Sequence, residues 1–208
     1  MEMSKVEEKY IKILEEIKEN AIKNHVPILQ DVSLDLILMV LKIKKPNKIL
    51  EIGTAVGYSS ILFSNTLSGE NPKIKTIELK ENMYNQAIEN IEKMGLSDKI
   101  EVIHSDATTY LETLDENIQK YDVIFIDAAK GQYMNYLKEA LRLLNKEGII
   151  IADNVLFKGR TLGGYNEHRH RTATTRLREY LAEVENNPNL DSTLFKIGDG
   201  VAISILKK

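Results

Sequence analysis

Four acids stand where four apolar runs end. Glu78 closes the run 73–78, Asp106 follows 100–104, Asp127 follows 121–126 and Asp153 follows 148–152. A carboxylate in such a place gains nothing from packing and is repelled by its neighbours unless a ligand or cation intervenes. Asp127, Asp153 and Asn154 are all oxygen donors, two of them charged. Such a set suits Mg²⁺ or a similar divalent ion that keeps some waters and accepts substrate oxygens. The competing reading makes Asp127 and Asp153 helix N-caps. Lys130 stands three residues beyond Asp127 and could face the same ion. A neighbouring cation disfavours an ammonium group, which would fit Lys130 for work as a general base. Taken alone, the same lysine reads as solvated surface.

A second chemical stretch runs from Lys48 to Leu62. Ile49, Leu50 and Ile52 make a short buried strand, and Gly53 and Gly57 permit a tight turn that a side chain would obstruct. Ser59 and Ser60 fall where a helix N-terminus can hold polar or anionic groups. Glu78 lies 25 residues beyond Gly53, close to the spacing at which an acid accepts from ribose hydroxyls. The glycine pattern is G-x-x-x-G. It lacks the G-x-G-x-x-G of nicotinamide and flavin sites, and the chain has no G-x-x-x-x-G-K-[ST] phosphate loop. Together these features point to S-adenosylmethionine. The bland alternative is an ordinary strand-to-helix turn.

The elements that must position these groups alternate. Helical spacing covers 4–24, through Tyr10, Ile13, Leu14, Ile17 and Ala21, and Val26-Pro27 breaks it. A second helix is expected at about 34–43, capped by Asp31 or Ser33 and ended by Pro46. Strands follow at 48–52, 73–78, 100–104, 121–126 and 148–152, with helices at about 59–67, 81–94, 108–114, 131–144 and 172–186. A hairpin, 193–197 and 201–206 about Gly198-Asp199-Gly200, ends the chain. This order implies one α/β domain of mostly parallel strands with helices on both faces. The helices of residues 1–45 are an addition that can cover an active site or build a dimer interface.

Composition narrows the setting. The 208 residues suit one core, and no apolar run approaches a membrane span. With no cysteine, disulfides and thiolate metal sites are excluded. The opening residues are too charged for a signal-peptide core, so a cytoplasmic protein is expected, with no membrane partner. The net charge of −3 argues against general affinity for nucleic acid. Locally, however, 158–178 sets Lys158, Arg160, Arg169, Arg171, Arg176 and Arg178 against Glu167 alone. His168 and His170 within it lack an obvious carboxylate partner and read as solvated.

The joint set Glu51-Ile-Gly53-Thr-Ala-Val-Gly57-Tyr58-Ser59, Asp127-Ala-Ala-Lys130, Asp153-Asn154 and Gly198-Asp-Gly200 resembles the metal-dependent class I O-methyltransferases, which include the catechol and caffeoyl-CoA enzymes. The similarity runs from about residue 25 to the end. It implies a Rossmann-like, seven-stranded sheet with an antiparallel C-terminal strand, and a homodimer. It implies S-adenosylmethionine held by Glu51, Gly53, Tyr58, Ser59, Glu78, Asp106, Ala107 and Asp127, with adenine near Asp106-Ala107. The metal ligands would be Asp127, Asp153 and Asn154, and the base Lys130.

Such chemistry needs an acceptor with two neighbouring oxygens, one a hydroxyl. The stretches 125–133 and 153–159 look closest to a bacterial branch that methylates 5-hydroxyuridine at the tRNA wobble position. The low aromatic content (6%, no tryptophan) agrees, because a flat acceptor would lack its usual walls. The basic segment could grip anticodon phosphates, through Lys158, Arg160, Arg169, Arg171 and Arg176. The expected function is therefore methylation of tRNA 5-hydroxyuridine to 5-methoxyuridine. The alternatives are a small catechol or caffeoyl-CoA-like acceptor, or a non-catalytic binding module.

Overall fold

The computed structural model describes residues 5–163 and 170–207. Two helices open the chain, α1 (Lys5–Lys23) and α2 (Asp31–Lys44). Strands and helices then alternate: β1 (Lys48–Ile52), α3 (Tyr58–Ser64), β2 (Lys73–Glu78), α4 (Glu81–Lys93), β3 (Ile100–His104), α5 (Ala107–Thr113) and β4 (Tyr121–Ile126). A 3-10 turn (Lys130–Gln132) leads into α6 (Tyr133–Leu143), followed by β5 (Leu144–Ala152), α7 (Arg171–Asn186), β6 (Leu190–Phe195) and β7 (Val201–Leu206). The seven strands form one sheet in the order β3-β2-β1-β4-β5-β7-β6. Strands β1 to β5 pair in parallel, and β7 runs antiparallel to both of its neighbours.

The period-2 alternation of each central strand sorts its side chains between two cores. Ile49, Val123, Phe125 and Ile151 face α1 to α4, with Ile37, Leu41, Ile61 and Phe63 packed on them. Leu50, Ile124, Ile126 and Ile150 face α5 to α7, against Tyr133, Leu137, Leu143, Leu177 and Tyr180. Both faces are covered, which is why these strands read as unbroken apolar runs. The opening helices belong to the first layer: Ile17 and Ala21 are buried in that core, and Asn65 donates to the Tyr10 hydroxyl at 2.8 Å.

The strand order sets the location of the site. After β1 the chain steps outward to β2 and β3, then returns to place β4 on the other side of β1. A crevice opens at the carboxyl ends of β1 and β4, where the two directions part. There Gly53 (φ +102°) presses so close to the Asp127 carbonyl oxygen that a Cβ would overlap it. The Gly53 and Thr54 N–H groups donate to the Ile77 carbonyl at 3.1 and 3.2 Å, and the Asp127 N–H donates to Ile52 at 3.0 Å.

Three expectations change. Neither Asp31 nor Ser33 caps α2: Gln30 is its N-cap and makes no side-chain cap bond. Asp31 is held instead by Lys18 at 2.6 Å, and Ser33 is buried. Strand β5 begins at Leu144 rather than 148, because Leu144 pairs with Tyr121 across an irregularity before regular pairing resumes at Ile149. Strand β6 spans 190–195 rather than 193–197, since Leu190 pairs with Leu206 and Phe195 with Val201. The connecting loop is therefore 196–200, and it is long enough to reach the crevice.

Gly53→Ala should lower unfolding stability by on the order of 2–3 kcal/mol, from backbone strain plus the clash with Asp127. Urea denaturation measures this, and stability equal to the unsubstituted protein would refute the close-approach account.

Candidate active site

A cleft of about 680 Å³ occupies the crevice, large enough for a nucleoside-sized ligand together with a small acceptor. Gly53, Tyr58, Ser59, Glu78, Asp106, Ala107, Asp127, Lys130, Asn154 and Lys158 all line it. The structure thus gathers most of the residues singled out by type and spacing.

One wall is the glycine turn. The Glu78 carboxylate accepts from the Ala55 N–H and the Lys80 N–H, each at 2.8 Å, and so ties the turn after β1 to the end of β2. Its two oxygens keep lone pairs that can accept from ribose hydroxyls. Asp106 is the N-cap of α5, accepting from Thr108 and Thr109 N–H groups. Bonds from the Thr108 hydroxyl and these backbone groups hold its carboxyl below the usual range. Beside it, Ala107, Leu79, Met83 and Tyr136 supply surfaces for a flat base.

Glu51 is placed differently from its neighbours. It is fully buried and does not line the cleft. It lies behind Ser59, whose hydroxyl donates to it at 2.5 Å, and the Ser60 hydroxyl donates to its other oxygen. Burial pushes its carboxyl up to about 7, against the lowering effect of these two hydroxyls. Its reach to a cofactor is therefore indirect, through Ser59.

The opposite wall carries Asp127 and Asn154, and Asp153 is buried behind them without lining the cleft. The Asn154 amide donates to Asp127 at 2.9 Å and to Asp153 at 3.2 Å, wedged between the two carboxylates. Burial raises the Asp127 carboxyl. Burial, then the charge of Asp127, raises Asp153 to about 7. One Asp153 oxygen, Oδ1, is buried with no hydrogen-bond partner. Neither acid caps a helix; the N-caps here are Ala129, Gln132 and His170. Among the described residues no three His, Cys, Asp or Glu side chains gather as a metal-binding group. The candidate set is two carboxylates and one amide, and the orphaned oxygen beside a like charge fits a hard divalent cation. Rotating the Asn154 amide would present its oxygen instead of its nitrogen. The Lys130 charge lowers both carboxyls, so it lies within electrostatic reach of the pair. Its Nζ sits 5.6 Å from the centre of the Phe157 ring.

Two parts of the cleft were not singled out by the sequence. The α1–α2 connection, Val26 to Gln30, forms an apolar rim, and Phe157 and Asp199 complete the acidic side. Val26-Pro27 read only as a helix break, and Gly198-Asp199-Gly200 as a hairpin turn and part of the family resemblance, with no place in the cleft assigned to it. The low aromatic fraction did not reveal that one of the few rings stands at the cleft.

The basic segment is committed within the fold only in part. Arg178 donates to the carbonyls of Arg160, Thr161 and Gly163. Arg176 pairs with Glu179 at 2.7 Å, and the Arg160 guanidinium lies 5.1 Å from the Phe157 ring centre. Arg171 is exposed at the start of α7, and Lys158 is exposed at the cleft mouth. Arg169 and His168 lie outside the described residues.

Comparison with known proteins adds a family. The O-methyltransferase family model matches residues 1–207. A caffeoyl-CoA O-methyltransferase from Stellaria longipes is 33% identical over 175 residues, covering 80% of this chain and 70% of that protein. A catechol O-methyltransferase from Niastella koreensis is 33% identical over 165 residues, 76% of this chain and 73% of the other. Among solved structures, an O-methyltransferase from Bacillus cereus in complex with SAH superposes with a TM-score of 0.84 at 27% identity, covering 94% of this chain and 91% of that one.

The Glu51 carboxyl sits near 4.5 when unfolded and about 7 when folded. Its ionisation therefore costs stability progressively as pH rises from 4.5 to 7, and fully above that. Measured by urea unfolding, the stability of Glu51→Gln relative to the unsubstituted protein should move in favour of the variant between pH 4.5 and pH 8. A difference independent of pH would contradict the buried-carboxyl account.

Proposed function

The chain belongs to the O-methyltransferase family, and from that premise we propose that it transfers a methyl group from S-adenosylmethionine to one hydroxyl of a chelating pair on a small catechol- or caffeoyl-type acceptor. The observation that carries this reading is the shared cleft: the glycine turn with Ser59 and Glu78 forms one wall, and Asp127, Asn154 and Lys130 face it from the other. S-adenosylmethionine supplies an electrophilic methyl on a positively charged sulfur. Asp127, Asp153 and Asn154 would hold a divalent cation, whose charge would make an acceptor hydroxyl more acidic.

The chain's own residues do the rest. Glu78 accepts from the ribose, Asp106-Ala107 border the base, and Ser59, steadied by Glu51, faces the amino-acid end of the cofactor. Lys130, when its amine is neutral, would take the hydroxyl proton at Nζ. The apolar rim of Val26, Pro27 and Ile28 together with Phe157 gives a planar acceptor the walls that composition alone did not promise. Holding oxygen and methyl carbon in line across the cleft is itself a large part of the rate.

The small acceptor is better supported than the 5-hydroxyuridine of tRNA suggested by the basic segment. The relatives above are a caffeoyl-CoA and a catechol enzyme, and Arg160, Arg176 and Arg178 are occupied by partners within the fold. Exposed Lys158 at the cleft mouth is the observation that keeps the tRNA acceptor as the second reading. Among the described residues no helix is long and apolar enough to cross a membrane.

Methyl transfer from labelled S-adenosylmethionine should require a divalent cation, and Asp153→Ala should lower it by on the order of 100-fold or more. Parallel assays with a catechol, caffeoyl-CoA and 5-hydroxyuridine-containing tRNA identify the acceptor. Full activity in EDTA would count against the metal, and transfer to tRNA alone would reverse the choice of acceptor.

A further inference from the structure

The segment that follows the acidic pair has an unusual backbone. Asn154 (φ +59°), Phe157 (φ +48°) and Lys158 (φ +54°) all lie in the left-handed region without being glycine. Asparagine tolerates that region, whereas a bulky side chain such as Phe enters it only when its surroundings impose it. Within the segment, the bonds are those of ordinary turns: Phe157 N–H to Asn154 at 3.3 Å and Arg160 N–H to Phe157 at 3.1 Å. Such turns do not by themselves require the left-handed state.

The constraint comes from the β6–β7 loop. The Val155 N–H donates to the Gly200 carbonyl at 3.1 Å and the Leu156 N–H to the Asp199 carbonyl at 2.8 Å. The Asp199 side chain then reaches past them and accepts from the Lys158 N–H. Gly200 (φ +87°) lies so close to Leu156 that a Cβ would overlap its side chain, so the loop is shaped to receive this segment. Backbone and side chain of the 199–200 pair thus secure three N–H groups within four residues.

We propose that Asp199 is a positioning residue for methyl transfer, a tether that fixes the 154–158 segment and through it the acceptor side of the cleft. Two groups depend on that tether. Asn154, at the start of the segment, spans Asp127 and Asp153. Phe157 lines the acceptor side and carries the Lys130 ammonium against its ring. Release of the Lys158 N–H would let the segment relax toward ordinary backbone angles, moving Phe157 and with it the support of Lys130. The cofactor wall, built on Gly53, Ser59 and Glu78, has no bond to Asp199 and would keep its shape. The inference rests on the methyltransferase reading above for its catalytic consequence, whereas the tether itself is a property of the ligand-free chain.

Hydrogen exchange and kinetics on Asp199→Ala and Asp199→Asn test the proposal. Loss of a charge-assisted bond to a backbone N–H should raise exchange at Lys158 by about tenfold or more in the ligand-free alanine variant. The same variant should lose about tenfold or more in acceptor kcat/KM while its SAH affinity, read by calorimetry, stays within about twofold. Asp199→Asn keeps an acceptor oxygen and should recover most of both losses. Unchanged exchange at Lys158 overturns the tether. A parallel fall in SAH affinity overturns the selective role, and failure of the asparagine variant to recover overturns positioning in favour of charge. If the alanine variant does not fold, Asp199→Ser takes its place with the same readouts. Absence of methyl transfer by the unsubstituted protein to any acceptor offered would overturn the function proposed above, and the exchange arm would still decide the tether.

Discussion

The contact between the Gly53 backbone and the Asp127 carbonyl is the constraint on which the rest of the site depends. It exists because β1 and β4 are neighbours in the sheet although β2 and β3 intervene in the chain. With no side chain at residue 53, the turn that holds one ligand and the acid that begins the other wall meet at van der Waals distance. A wider separation would place cofactor and acceptor in different pockets. In-line transfer needs the donor and acceptor atoms within a few ångström of each other, so the backbone contact sets the scale of the chemistry.

A second constraint is electrostatic. Asp127 and Asp153 are brought together by parallel pairing of β4 and β5, Asp127 at the cleft and Asp153 buried behind it. The protein mitigates the repulsion with the Asn154 amide and the nearby Lys130 charge, yet one Asp153 oxygen has no partner. Unpaired buried carboxylates are costly, and sequences retain them where an added positive charge restores the balance. Glu51 presents a contrasting case on the other wall. Its charge is equally buried, but two serine hydroxyls from the start of α3 satisfy it internally, leaving it no need of a ligand. The same chemical group is thus satisfied by hydroxyls behind one wall and left with an orphaned oxygen behind the other.

Much of this was legible from residue types. Apolar runs ending in acids located the strands and the cleft edge together, because buried parallel strands leave few places for a carboxylate except their ends. The class of cofactor followed from Gly53, Gly57 and Glu78, whose spacing reflects a single strand-turn-helix-strand path. What was not legible depended on contacts between distant segments. Glu51 looked like a cofactor residue because it adjoins the glycine turn, but the pleat of β1 directs its side chain inward toward α3. The capping role expected of Asp31 failed because Lys18, on the preceding helix, competes for it. The basic stretch read as a phosphate surface because sequence displays charge without its partners: Arg176 pairs with Glu179 and Arg160 lies against Phe157, whereas Lys158 and Arg171 are exposed.

Choice of acceptor follows a similar division. The walls that a planar molecule would touch come from three places far apart in the chain: the α1–α2 connection, the segment after β5 and the loop before β7. None belongs to the strand-helix repeat that builds the cofactor wall, so each can vary without disturbing Gly53, Ser59 or Glu78. Left-handed residues at 154, 157 and 158 fit the same logic, because local strain persists only where neighbouring structure over-determines it. The sheet therefore fixes the reaction by bringing two strand ends together. The segments draped across that junction decide which hydroxyl can enter.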